Sequence, residues 1–383
     1  MKTYPKWLSA AVFSGMLAAP SPAAALETKA KNVILMDYDT GEYLFAENAF
    51  VPVAPASMSK LMTVYVLFSK LKDGTLSLED VFSVSENAWR TGGAASGSST
   101  MFLPIGSKVT VENLIKGIII QSGNDACIVA AENIAGSEED FAELMNAKAK
   151  ELGLKNSHFV NSTGLPHPDH RMSAEDLARL AQALIRDFPE YYSVFSQKSF
   201  TYNNILQGNR NPLLYSMPDA DGLKTGHTAE AGFCLTASVK RGDRRLIGVM
   251  TGLKSNKERS EEAEKLMNWG FREFNNYKVF KQFQRIVSVP VYMGEEKSID
   301  LAVDEDVIMT IARSKARDVK LTAVYEKPVK APVAQGDKLG EVKIEIPGGE
   351  VKTVPLYADH SIRKLGFWGR ILSNVKYLLF GAE

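Results

Sequence analysis

The sequence predicts an α+β fold. Two groups of strand-like runs enclose a long helical stretch, and the chain then becomes a series of short β-prone runs. A closing segment patterned as an amphipathic helix completes the plan.

Residues 33–37 and 42–46 are apolar or alternating and are joined by Tyr38-Asp39-Thr40-Gly41, which reads as a hairpin. Helices are expected near 57–71, 111–120, 124–135, 138–152 and 173–187. Strands follow at 222–226, 232–240 and 245–252, the last two meeting at Arg241-Gly242-Asp243. A helix over 257–276 carries Ala263, Leu266, Met267 and Phe271 at helical spacing. Beyond it, residues 286–291, 307–311, 319–324 and 342–346 are short β-prone runs divided by turn residues, the pattern of a small all-β sandwich. The expected division is therefore a large domain over 26–277 and a β-sandwich over 278–359.

Both ends of the chain carry address-like features. Lys2 and Lys6 precede an apolar run over 7–19, then Pro20, Pro22 and the small residues Ala23, Ala24 and Ala25, as in an export signal over 1–25 cleaved after Ala25. At the other end, Leu365, Trp368, Leu372, Val375 and Leu379 repeat at alternating spacings of three and four within 360–383. A membrane span needs about 20 predominantly apolar residues, and Arg363, Arg370 and Lys376 interrupt the run. The segment is expected to lie in the membrane interface, with docking on the β domain as the alternative. An exported protein on the outer face of the cytoplasmic membrane follows.

Acidic and basic residues balance at 45 each, so no overall field draws nucleic acid, and no basic, aromatic-laced stretch does so locally. Cys127 and Cys234 are the only cysteines, each in an apolar run where packing as a small hydrophobe is favoured over a bridge.

Three motifs carry chemistry. Ser57-x-x-Lys60 opens a run that is apolar nearly all round, so both side chains should project from one face of the first turn of a buried helix. A serine hydroxyl is a weak nucleophile until a base takes its proton, and Lys60 serves only when uncharged. Lowering its pKa to near 7 would cost roughly 4 to 5 kcal/mol. Ser122-Gly123-Asn124 falls between two buried helical runs, where Ser122 can relay a proton and Asn124 can hold Lys60 and a substrate amide. Lys224-Thr225-Gly226 begins the later strand set, where Gly226 permits close backbone approach and Lys224 and Thr225 offer charge and a hydroxyl to a carboxylate. Taken singly, each has a plainer meaning: a helix cap, a capped turn, a protected edge strand.

Together, the surroundings of these motifs resemble the D-alanyl-D-alanine carboxypeptidases, the low-molecular-mass penicillin-binding proteins. The matching words are Pro55-Ala56-Ser57-Met58-Ser59-Lys60, Gln121-Ser122-Gly123-Asn124-Asp125-Ala126-Cys127 and Asp221-Gly222-Leu223-Lys224-Thr225-Gly226-His227-Thr228, with Gly97-Ser98-Ser99-Thr100-Met101-Phe102-Leu103 and Trp269-Gly270-Phe271 beside them. The resemblance implies a five-stranded antiparallel sheet flanked by helices, with the site between sheet edge and helical insert. It implies Ser57 as acylated nucleophile, Lys60 as proton acceptor, Ser122 as relay, Asn124 as orienter, Lys224 and Thr225 as carboxylate binders, and the N–H groups of Ser57 and His227 as oxyanion hole. Arg210 and Arg259 are expected to support the carboxylate pocket. The implied substrate is the peptidoglycan pentapeptide, with β-lactam antibiotics as covalent inhibitors and no cofactor.

Four other readings compete with this one. A β-lactamase needs a deacylating glutamate, and residues 172–178 contain Glu175 without a Glu-x-x-x-Asn pattern. An endopeptidase cutting peptide crosslinks would use identical chemistry. His167-Pro168-Asp169-His170 resembles a solvated loop more than a zinc site, so no metal is expected. A catalytically dead envelope-binding module is disfavoured by the intact Ser57, Lys60 and Ser122.

Overall fold

Five antiparallel strands organise the larger unit: β1 (Asn32–Asp37), β2 (Tyr43–Glu47), β3 (Ala220–Thr228), β4 (Gly232–Arg241) and β5 (Arg244–Leu253), in the spatial order β2-β1-β5-β4-β3. This computed structural model describes residues 11–13, 26–369 and 371. They form two units that divide between Arg272 and Glu273. The expected export signal lies outside the described residues except for Ala11–Phe13, which pair antiparallel with residues 321–323.

Every residue of β1 is buried, as a strand covered on both faces requires. One cover is α6 (Asn256–Glu273), which closes so tightly that a Cβ on Gly270 would stand 2.5 Å from Leu35 Cδ2, and one on Gly248 would stand 2.8 Å from Met267 Cε. The other cover includes α5 (Ala174–Asp187), which packs on β1 and β5. Between β2 and β3 in sequence come α1 (Lys60–Lys72), α2 (Val111–Lys116), α3 (Asn124–Ala135), α4 (Glu138–Glu151) and then α5. Helix α1 is buried on all sides over residues 60–68, which explains its lack of a polar face. Cys127 and Cys234 are both buried and free, as small apolar side chains.

Three boundaries differ from expectation. Ser57 precedes α1 in a 3₁₀ turn, Ala56–Ser59. Helix α2 widens into a π turn over Gly117–Gln121 before ending at Ser122. Residues 274–276, expected to end a helix, instead begin β6 (Phe274–Phe280), because they pair with β9 (Val307–Ala312) in a two-stranded sheet.

The smaller unit also holds β7 (Arg285–Tyr292), β8 (Ser298–Ala302), β10 (Lys320–Tyr325), β11 (Val329–Lys330), β12 (Lys338–Glu345) and β13 (Lys352–Ala358). These order as β10-β12-β13-β8-β7-β11, around a core that includes Val289, Ile299, Leu301, Ile344 and Leu356. The helix expected over 360–383 does not begin at its expected start. Ile362 and Lys364 make isolated bridges to Val333 and Gly294, because Ile362 seals the β core at 2% exposure. Helical geometry begins at Phe367, and residues 370 and 372–383 lie outside the described residues. Among the described residues, no helix is long and apolar enough to cross a membrane.

Candidate active site

Lys60 is fully buried at the start of α1, yet its amine has three partners: Ser57 Oγ at 2.9 Å, Asn124 Oδ1 at 2.7 Å and the Thr163 carbonyl oxygen at 2.5 Å. The last two can only accept. Asn124 is held in that orientation because its Nδ2 donates to Ser98 Oγ at 2.9 Å. A neutral amine therefore commits both N–H groups to Asn124 and Thr163 and leaves its lone pair facing the Ser57 hydroxyl. Burial pulls the Lys60 pKa down from 10.5 to about 8, with the Arg210 charge adding to the fall. That is less depression than the value near 7 expected from the sequence, since Cys127, Glu138 and Asp125 oppose the fall.

Ser122 closes the π turn in the left-handed conformation, φ 65°, where glycine is the usual residue. Holding a β-carbon there costs on the order of 1 kcal/mol. Its Oγ accepts from Lys224 Nζ at 3.0 Å. Ala56, immediately before Ser57, is also left-handed at φ 49°. Strained backbone thus lies at Ser122 itself and immediately before Ser57.

Strand β3 delivers the third motif against the first. A Cβ on Gly226 would stand 3.0 Å from the Pro55 carbonyl oxygen and 3.1 Å from Ala56 Cβ, so glycine lets the strand run beside the turn that carries Ser57. Lys224 and Thr225 are buried, and His227 is exposed with its ring 4.0 Å from that of Phe233. Arg210 Nη1 donates to Ser99 Oγ at 2.5 Å. Arg259 donates weakly to the carbonyls of Arg210 and Cys234, lies over the Phe233 ring and leaves its buried Nε without a partner.

Burial depresses these cations, and for Lys224 and Arg259 neighbouring positive charge adds to it. Lys224 is held well below its ordinary value by burial, then by Lys60 and Arg210, and Arg259 falls to about 10 mainly through burial. Burial lowers Arg210 as well. No ion pair to Lys224, Arg210 or Arg259 is found among the described residues, so the pocket presents unneutralised positive potential suited to an anionic group. Glu175, the only glutamate in the segment considered for deacylation, is instead bonded by Tyr43 Oη and Arg179 at the start of α5.

Two contributors escaped sequence reasoning. The Thr163 carbonyl carries no side-chain signature, although Asn161-Ser162-Thr163-Gly164 is turn-like. Ser98 lies in the Gly97–Leu103 segment that resembles the family, but nothing local in its sequence signals its contact with Asn124. His170 is a correction: it is not solvated, at 2% exposure, and its Nδ1 accepts from the Val160 N–H. Its Nε2 therefore carries the proton and donates to Ser59 Oγ at 2.7 Å, tying this loop to the turn that carries Ser57.

The fold thus gathers Ser57, Lys60, Ser122, Asn124 and Lys224 beside the β3 edge of a five-stranded antiparallel sheet, and two family models match the chain. Residues 18–255 match the model for D-alanyl-D-alanine carboxypeptidase, and residues 274–364 match that for the penicillin-binding protein 5 C-terminal domain. The chain belongs to the D-alanyl-D-alanine carboxypeptidase family. It is 41% identical over 364 residues to the carboxypeptidase DacC of Escherichia coli, covering 93% of this chain and 91% of that protein. It is 40% identical over 352 residues to DacA of the same organism, covering 91% and 87%. Penicillin-binding protein 5 from Haemophilus influenzae superposes with a TM-score of 0.79 at 37% identity, over 89% of this chain and 99% of that one. Penicillin-binding protein D2 from Listeria monocytogenes, in its ampicillin-bound form, gives 0.56 at 28% identity over 64% and 99%.

Burial lowers the His170 pKa from 6.5 to about 4, so the ring is neutral in the folded protein while the unfolded chain takes up a proton below pH 6.5. The stability this group contributes is present above pH 6.5 and is lost as pH falls toward 4. In urea unfolding at pH 7 and pH 4.5, the parent should lose about 2 kcal/mol more than His170→Gln between the two conditions. Equal losses would show that His170 is not held neutral by burial.

Proposed function

We propose that this protein removes the terminal D-alanine from peptidoglycan pentapeptide stems through an acyl-enzyme on Ser57. The observation that carries the proposal is the buried Lys60 amine, 2.9 Å from Ser57 Oγ and bonded to two fixed acceptors, an arrangement in which its neutral form would turn the lone pair to the serine. Lys60 accepts the Ser57 proton as Oγ attacks the carbonyl of the penultimate D-alanine, and the oxyanion is held by the backbone N–H groups of Ser57 and His227. Ser122, hydrogen-bonded to Lys224, gives its hydroxyl proton to the departing amine as the C–N bond breaks and regains one from the protonated Lys60, which returns to the neutral form. Water then cleaves the ester and restores the serine.

The substrate carboxylate is received by Lys224 and Thr225, with Gly226 allowing the peptide to lie along β3 and with Arg210 supporting the pocket. An arriving anion raises the depressed Lys224 pKa, so binding and proton uptake are linked. A β-lactam presents an amide to the same attack, but its cleaved nitrogen stays tethered and the acyl-enzyme persists. Replacing Ser57 with Ala should abolish both D-alanine release from a D-Ala-D-Ala pentapeptide and covalent labelling by penicillin, without loss of fold. Label retained by the variant would refute the assignment of the nucleophile.

The apolar leader and the terminal amphipathic pattern support export and peripheral attachment to the outer face of the cytoplasmic membrane. Phe367, Trp368 and Ile371 are exposed at 63%, 78% and 43%. Because Ile362 completes the β core, the informative truncation starts at Phe367. Deleting residues 367–383 should move the protein from the membrane pellet to the soluble fraction, and a truncated protein that still sediments with membranes would remove the basis for the anchor.

A further inference from the structure

We propose that Glu138 is a positioning residue for acyl transfer, holding the segment whose Thr163 carbonyl orients the Lys60 amine. This rests on the assignment of Ser57 and Lys60 given above. The carbonyl must stay fixed to within a fraction of an ångström, since a displaced acceptor frees an N–H to turn toward Ser57 and occupy the place of the lone pair. Three sets of bonds fix it. Within the turn, Asn161 Oδ1 accepts the Thr163 N–H at 3.1 Å, the Thr163 hydroxyl at 3.0 Å and the Gly164 N–H at 2.7 Å. From α1, Thr63 Oγ1 donates to the Ser162 carbonyl at 2.6 Å, so two successive carbonyls of the turn face two residues of one helix, three positions apart.

The third set comes from outside both elements. Glu138, in the first turn of α4, accepts both the backbone N–H and the hydroxyl of Ser162 through one carboxylate oxygen. Ser162 is completely buried, so no water replaces these bonds. Glu138 touches neither Ser57 nor Lys60, and acts on them through Ser162 and Thr163. Its negative charge has a second, opposing effect. It favours the protonated form of Lys60, which also feels Cys127 and Asp125 from α3, and Arg210, Lys224 and His170. Geometry and charge can therefore be separated by substitution. Gln keeps an acceptor oxygen for Ser162 and removes the charge, whereas Ala removes both.

The test is the kinetics of Ser57 acylation by a labelled penicillin across pH, in the full chain, with Ser57→Ala as the zero-label control. Glu138→Ala should lower the first-order acylation constant by about 10- to 100-fold and leave the penicillin binding constant unchanged. Glu138→Gln should recover the rate to within about threefold at alkaline pH, with its acid limb moved lower by about 0.3 to 0.5 pH unit. Ser162→Ala, which keeps the backbone bond, should fall between parent and Glu138→Ala and guards against misfolding of the latter. Acylation of Ser162→Ala and Glu138→Ala within twofold of the parent would overturn the proposal, as would Glu138→Gln with an unshifted acid limb. A parent that takes up no label would instead refute the serine assignment itself.

Discussion

Everything in the larger unit is arranged around one buried amine. Removing Lys60 from water shifts its titration by an amount worth on the order of 3 kcal/mol, and the fold sustains this because α1 lies at the centre of the core. In return the amine is deprotonated in about one molecule in ten at pH 7, against fewer than about one in a thousand for an ordinary exposed lysine. Two fixed carbonyl acceptors then give the neutral form a direction as well as a population. Without them, a neutral amine would rotate its lone pair freely.

The rest of the site consists of devices that bring separate elements to that amine. Ala56 and Ser122 accept left-handed backbone so that Ser57 and the second-motif hydroxyl face inward. Gly226 omits a side chain so that β3 can lie beside Ser57, and Gly164, also left-handed, leaves room for the Ala56 carbonyl, which a Cβ would meet at 2.1 Å. His170 and Ser59 tie the turn before α1 to the loop that holds Thr163. Among the described residues the cationic pocket has no ion-paired protein anion, so an anion bound there would relieve its repulsion.

Much of this was legible in the sequence because side-chain identity carried it. The three motifs, the hairpin at β1 and β2 and the apolar α1 all rest on residue types whose physics is local. Backbone contributions were not legible: a carbonyl such as that of Thr163 has the same chemistry in every residue. Strand β6 was missed because its residues are half-buried, with Asn275 and Asn276 breaking any alternation, and its pairing with β9 is decided by distant residues. His170 was misjudged for a related reason. Its neighbours Pro168 and Asp169 are those of a surface turn, while its burial is set by packing against Phe159 and Ser59.

The central claim is that the Lys60 amine titrates near neutrality with its lone pair on Ser57. Nuclear magnetic resonance of protein labelled at lysine Cε, with the Lys60 signal assigned by its loss in Lys60→Arg, measures this directly. A midpoint near pH 8 in the free protein is expected. A midpoint at the ordinary value of 10.5 would mean that the amine stays charged beside the serine, and the account of Ser57 activation would be wrong.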